Sequence, residues 1–337
     1  MKYPKPLQKG DTIGICAPSS GAAPEYQPRL DSAIANIRAM GYDVIESPSL
    51  RQNIKCVSAD AKTRADEFME LYKNPAVAAI IPPWGGEFAM DMLPFIDFNE
   101  IADLLPTWIS GYSDISTLTF PLTILSDVAT IHGSNLINLG SNEIHSTDLA
   151  LFDAMSQTEL TQQSAPFYGE FTGFDDISKP LYTFDKPNVW KTLKGEEKLR
   201  IHGRIIGGCM DTLCKLIGTE YAFLHDFLNE YSDDGFIWAL ESCEMSAADI
   251  YRTLWQMKQS DWFDYCKGVI YGRPDGYKDT ADFAMVDALK NVFDDMDFPV
   301  IYDADVGHIP PIMQFINGAY AVVNYENGAA SVRQIKK

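Results

Sequence analysis

The sequence predicts an α/β protein: a parallel-sheet domain at the N-terminus, then a smaller mixed α/β domain. Three observations carry this. Short apolar runs alternate with helical periodicity through the first half of the chain. The periodicity fades between about residues 141 and 195 and then restarts. Two late runs, Ala319–Asn324 and Ala330–Gln334, alternate in the way that suits antiparallel strands. A length of 337 residues also fits two domains.

Thr12–Ala17 (TIGICA) reads as a strand that feeds a Pro-Ser-Ser-Gly loop. Leu30, Ile34 and Ile37 recur at helical spacing, and Gly41 stops that helix. Val44–Ile45 is the second strand. Ser58 is the expected cap of a helix carrying Ala65, Phe68, Met69 and Tyr72, closed by Asn74-Pro75. Val77–Ile81 is a buried strand, followed by Trp84-Gly85-Gly86 and a helix through Met90 and Leu93. Thr107–Ile109 is another strand, then come Gly111-Tyr112-Ser113-Asp114 and an apolar helix over Leu118–Leu125. Strands alternating with helices imply βαβ units, in a Rossmann-like or flavodoxin-like layer. Such sheets bind ligands beyond the carboxyl ends of their strands, where loops 17–21, 84–87 and 111–114 fall. The second half restarts at Arg200–Gly208. Strands follow at Phe236–Leu240, Val269–Tyr271 and Val300–Tyr302, with helices over Ile250–Met257 and Phe283–Phe293. The expected division is therefore 1–150, a linker at 151–195, and 196–337.

Composition narrows the function. The net charge is −20, divided between the halves as −8 and −12, so neither half offers a basic face to a nucleic-acid backbone or an anionic membrane. No apolar run is long enough to span a bilayer, and the first residues lack the apolar core of a signal peptide. The six cysteines are scattered without a CxxC pair. They read as reduced thiols of a cytoplasmic protein, with metal binding by thiolates improbable.

Four segments could carry chemistry. Ser113 sits on a turn between a strand and a helix, where its hydroxyl is exposed and the next N–H groups point at an oxyanion. Capping of that helix by Ser113 or Asp114 is the alternative. Gly85-Gly86 allows close backbone approach, as a second oxyanion donor or as a plain turn. Glu241 ends an apolar strand, where a buried carboxylate needs a partner; a solvated strand end is the other reading. His308, in a proline-stiffened loop after Tyr302, suits a general base or is a surface histidine. Asp303, Asp305 and His308 could also be read as metal ligands of a hydrolase. His132 could line the same cleft, and Trp190, in the polar stretch, could stack on a ligand.

Taken in order, these segments resemble the LD-carboxypeptidase family of serine peptidases, which includes the microcin C immunity proteins. The resemblance runs from Lys9–Ser20 through Gly85-Gly86, Leu93–Asp97, Gly111–Leu118, Gly207-Gly208 and Ile217–Tyr221 to Ala239-Leu240-Glu241 and Gly307-His308. It implies a Ser113–Glu241–His308 triad, with oxyanion donors on the backbone of Asp114 and of Gly85-Gly86. It implies a substrate amide next to a terminal D-residue, as in muropeptides, or the amide of a peptide-nucleotide or aminoacyl-nucleotide. It also implies a homodimer that needs no metal or organic cofactor. Two departures bear on the substrate. Many members carry Arg-Gly-Gly-Tyr-Gly where this chain has Trp84-Gly85-Gly86-Glu87-Phe88, and His-Gly-Pro where it has His132-Gly133-Ser134. Glu87 should cap the following helix or bind a cationic part of the substrate. A non-catalytic two-lobed binding protein is the alternative of a different class.

Overall fold

A computed structural model describes residues 1–337. The first half builds a four-stranded parallel sheet from β1 (Thr12–Ile15), β2 (Asp43–Glu46), β3 (Val77–Ile80) and β4 (Trp108–Ile109), in the order β2-β1-β3-β4. Parallel neighbours require crossovers, and helices supply them: α1 (Gln27–Ala39) after β1, α2 (Ala61–Lys73) after β2 and the short α3 (Phe98–Asp103) after β3. The apolar face of α2, with Phe68, Met69, Leu71 and Tyr72, is buried. Its cap is Asp60, whose carboxylate accepts the Thr63 N–H at 2.9 Å. Ser58, the expected cap, instead donates to the Ala17 carbonyl at 2.8 Å and ties down the loop after β1. The expected helix through Met90 is a 3-10 segment, Ala89–Phe95, with Pro94 inside it.

Beyond β4, α4 (Ser116–Ser126) is buried along nearly its whole length. It leads to β5 (Thr130–His132), which continues the first sheet through a parallel bridge between Ile131 and Ser110. α5 (Ser146–Ser156) follows. The expected linker, 151–195, instead carries four strands: β6 (Glu159–Gln163), a hairpin of β7 (Phe167–Phe171) and β8 (Tyr182–Pro187), and β9 (Lys191–Thr192). Of these, β6 and β9 are the two edges of the second sheet.

That second sheet has eight strands. Its remaining elements are β10 (Lys198–Cys209), α6 (Met210–Leu216), α7 (His225–Glu230), β11 (Phe236–Glu241), α8 (Ala247–Gln259), β12 (Cys266–Gly272), α9 (Met285–Phe293) and β13 (Val300–Ala304). β14 (Phe315–Asn317), β15 (Tyr320–Glu326) and β16 (Ala329–Ile335) close the chain. The order is β6-β16-β15-β10-β11-β12-β13-β9, parallel from β10 to β13 and antiparallel outside. β14 leaves this sheet to pair antiparallel with β5, so the two halves share main-chain hydrogen bonds. Trp190 is fully buried under the second sheet, among Ile201, Ile301 and Tyr325. It packs the core and cannot stack on a ligand, which corrects the sequence expectation. No helix is long and apolar enough to cross a membrane.

Candidate active site

Three loops at the carboxyl ends of β1, β3 and β4 converge. Ser113 has φ of 62°, a left-handed conformation that costs a serine backbone strain and is kept only where the surroundings enforce it. The enforcement is visible. Gly85 packs flat against the turn: a Cβ there would lie 2.7 Å from Ser113 Cβ and 2.9 Å from its Oγ. Gly86, with φ of 140°, leaves no room for a side chain beside Ser19 and Ser20. The Gly86 N–H donates to no group of the chain.

Asp114 holds these loops together. Its buried carboxylate accepts from Ser19 Oγ at 2.5 Å, the Ala89 N–H at 2.8 Å and Thr117 Oγ1 at 3.0 Å. Burial pushes this carboxyl above its usual range, although the same three donors and Arg64 pull it back. Arg64, itself buried, reaches from α2 to the carbonyls of Pro18 (2.5 Å) and Phe88 (2.8 Å). The N–H groups that begin the 3-10 segment are thus met by Ser19 and Asp114. Glu87 is exposed and caps nothing; its side chain lines the cleft.

The second half brings its residues from strand ends too. β10 and β11 run parallel with Cys209 opposite Glu241, so both side chains arrive at one level. Gly208 lies against Ser116, whose Oγ accepts the Cys209 N–H at 3.0 Å, which joins α4 to β10 beside the site. Glu241 is 0% exposed. His308 Nδ1 lies 2.9 Å from its Oε2. Gly307 crosses directly over the Glu241 carboxylate, where any Cβ would overlap it. The His308 ring meets Tyr112, the residue before Ser113, edge-on at 4.9 Å. No hydrogen bond joins Ser113 Oγ to His308, and apo sites of this kind are often loose at that contact.

The charges fit a proton relay. Burial alone would push the Glu241 carboxyl up. The charge and hydrogen bond of His308, then His132 and Cys209, outweigh this and hold it below its ordinary value. Burial would push His308 down, yet Glu241 and Cys243 together raise it well above the usual histidine range. His132, fully buried, is pushed down to about 4 by burial and stays neutral. The metal alternative built on Asp303, Asp305 and His308 does not assemble. Asp305 is an ion-pair partner of buried Arg273, Asp303 pairs with Lys191 at 2.8 Å, and His308 turns to Glu241.

The cleft beside Ser113 has a volume of about 460 Å³. Sequence reasoning found Ser113, Asp114, Gly86 and Glu87 on its wall but missed those from the second half, among them Asp211, Lys215, Cys243 and Glu244. The nearest sequence signal was their position just past Gly207-Gly208 and Glu241. Arg252 is held by Asp249 at 3.1 Å, which leaves Lys215 as the cleft cation without an ion-pair partner.

The LD-carboxypeptidase N-terminal domain profile matches residues 13–133, and the C-terminal domain profile matches residues 202–323. The chain is 24% identical over 350 residues to the microcin C7 self-immunity protein MccF of Escherichia coli, covering 98% of this chain and 95% of that protein. It is 24% identical over 324 residues to a Bacillus subtilis (strain 168) protein named "Probable murein peptide carboxypeptidase", covering 95% and 91%. The structure of MccF in complex with aspartyl sulfamoyl adenosine superposes with a TM-score of 0.84 at 24% identity, over 99% of this chain and 98% of that one. The chain belongs to the LD-carboxypeptidase family and is a serine-type carboxypeptidase hydrolase.

Proposed function

We propose that Ser113, Glu241 and His308 form the catalytic triad, and that the enzyme cleaves the amide preceding a terminal D-residue of a small peptide. The observation that carries the reading is the buried Glu241 paired at 2.9 Å with His308 beside a serine held in a left-handed turn. Neutral His308 takes the proton of Ser113 Oγ as the oxygen attacks the substrate carbonyl. The Asp114 and Gly86 N–H groups face the developing oxyanion. His308 then gives the proton to the leaving amine, and water completes the cycle by the same route. Glu241 holds the imidazole and stabilises its charged form. Lys215 takes the terminal carboxylate of the substrate, and Glu87 with Glu244 takes an amino group elsewhere on it.

Cleavage of an aminoacyl-nucleotide amide, as suggested by the MccF complex with aspartyl sulfamoyl adenosine, uses the same triad. The buried position of Trp190 removes the one aromatic surface named above as able to stack on a ligand. The experiment sets Ser113→Ala beside wild type on L,D-tetrapeptides and on an aminoacyl sulfamoyl adenosine. The variant should remain folded and lose about three or more orders of magnitude in kcat. Near-normal turnover by Ser113→Ala would sink the triad. Turnover of the nucleotide alone would move the substrate to the second class.

A further inference from the structure

The scattered cysteines gave no reason to expect a metal-binding thiol, but the fold places one beside the candidate triad. Ligand atoms of Cys209, Glu241 and His308 all lie within 4.8 Å of one another. Tetrahedral zinc, with bonds of about 2.0–2.3 Å, sets its ligands roughly 3.3–3.8 Å apart, so small side-chain movements suffice. A second observation points to the same place. Glu241 Oε1 is buried with no hydrogen-bond partner, and so is His132 Nε2, 4.0 Å away. A buried carboxylate oxygen without a donor is costly, and a cation satisfies it. Cys209 also lines the cleft, which provides the way in.

We propose that Cys209, Glu241 and His308 form an inhibitory site for a thiophilic divalent cation such as zinc. The cation takes the thiolate of Cys209, one carboxylate oxygen of Glu241 and an imidazole nitrogen of His308. The thiol proton leaves to solvent, and water fills the fourth position. Thiolate plus imidazole selects zinc, cadmium or cobalt over magnesium and calcium, which prefer oxygen ligands. The metal is a competitor of catalysis, because it occupies the imidazole and breaks the Glu241–His308 pair. Binding stands on the ligand geometry alone, whereas inhibition rests on His308 acting as the general base.

The test titrates the full-length apoprotein with cobalt, whose thiolate charge-transfer band reports a Co–S bond. Wild type should show the band with one equivalent bound, and added zinc should abolish it by displacement. Cys209→Ser, checked for folding by circular dichroism, should lose the band and bind more than about 100-fold more weakly. His308→Ala should weaken binding as well, which keeps the test intact if Cys209→Ser misfolds. Cys56→Ser, which removes an exposed thiol, should bind like wild type. Peptidase activity should fall at least about tenfold with stoichiometric zinc and return with a chelator. No band in wild type, or an unchanged band in Cys209→Ser, overturns the site. A zinc-bound enzyme with full activity would overturn the inhibitory role and, with it, His308 as general base.

Discussion

Ser113 and the Glu241–His308 pair are held by different physics. Around Ser113 the constraint is shape. A positive-φ serine packs against Gly85, which admits no Cβ, and the adjacent carboxylate, Asp114, is spent on loop hydrogen bonds. Around Glu241 the constraint is charge. A fully buried carboxylate is kept ionised by an imidazole at 2.9 Å, with Gly307 sealing it from above. Shape tolerates changes of pH but no added atoms, whereas charge responds to every proton and to any neutral replacement. The two halves should therefore fail in different ways.

The largest contrast is Glu241→Gln. It preserves volume and removes the charge, so kcat should drop by about 10⁴-fold with the fold retained. Its pH profile sharpens the point. In the proposed mechanism the active form of His308 is neutral, and burial, which lowers its pKa, is outweighed by Glu241 and Cys243, which raise it. Wild-type kcat/KM should therefore rise with pH along a limb displaced to the alkaline side of an ordinary histidine. In Glu241→Gln that limb should move toward acid. A limb unmoved by the substitution would show that Glu241 does not set the charge of His308.

Gly85→Ala probes the other half. The added Cβ meets Ser113 at 2.7 Å, so the turn must shift. Activity should fall by about 10²-fold with no displacement of the pH limb. A displaced limb would mean that shape and charge are not separable here. Next in size is Trp190→Ala. It should cost about 3–5 kcal/mol of stability in denaturant titrations and leave substrate preference alone. A change in preference with normal stability would return Trp190 to the binding site. The smallest effect belongs to Glu87→Gln on the exposed rim. KM for a peptide bearing a free amine should rise about two- to fivefold, with amine-blocked peptides unaffected. Equal effects on both peptides would leave Glu87 no role in selection.

The same contrast explains what could be read in advance. Backbone shape leaves marks in sequence. A glycine pair after the VAAI strand, and Gly-Tyr-Ser-Asp before an apolar helix, announce the turns around Ser113. Val77–Ile80 and Phe236–Leu240 are legible because strands covered on both faces read as continuous apolar runs. Edge strands are not. Glu159–Gln163 buries only Leu160 and Gln162, and Lys191–Thr192 is two residues long, so the segment passed for a linker. Trp190 misled because its neighbours in sequence are polar, while its neighbours in space come from β10, β13 and β15. The meeting of Cys209 with Glu241 depends on the register between two strands, which local patterns do not encode.

The strand exchange between β5 and β14 bears on how the protein is made. The Thr130–His132 edge is completed only by Phe315–Asn317, about 180 residues further along the chain. On a ribosome adding about 5–20 residues per second, that edge waits roughly 10–40 s for its partner. An unpaired strand edge is a template for pairing with another chain. The nascent first half therefore emerges with an open flank next to its Ser113 turn, and chaperone demand should peak before the last strands leave the exit tunnel.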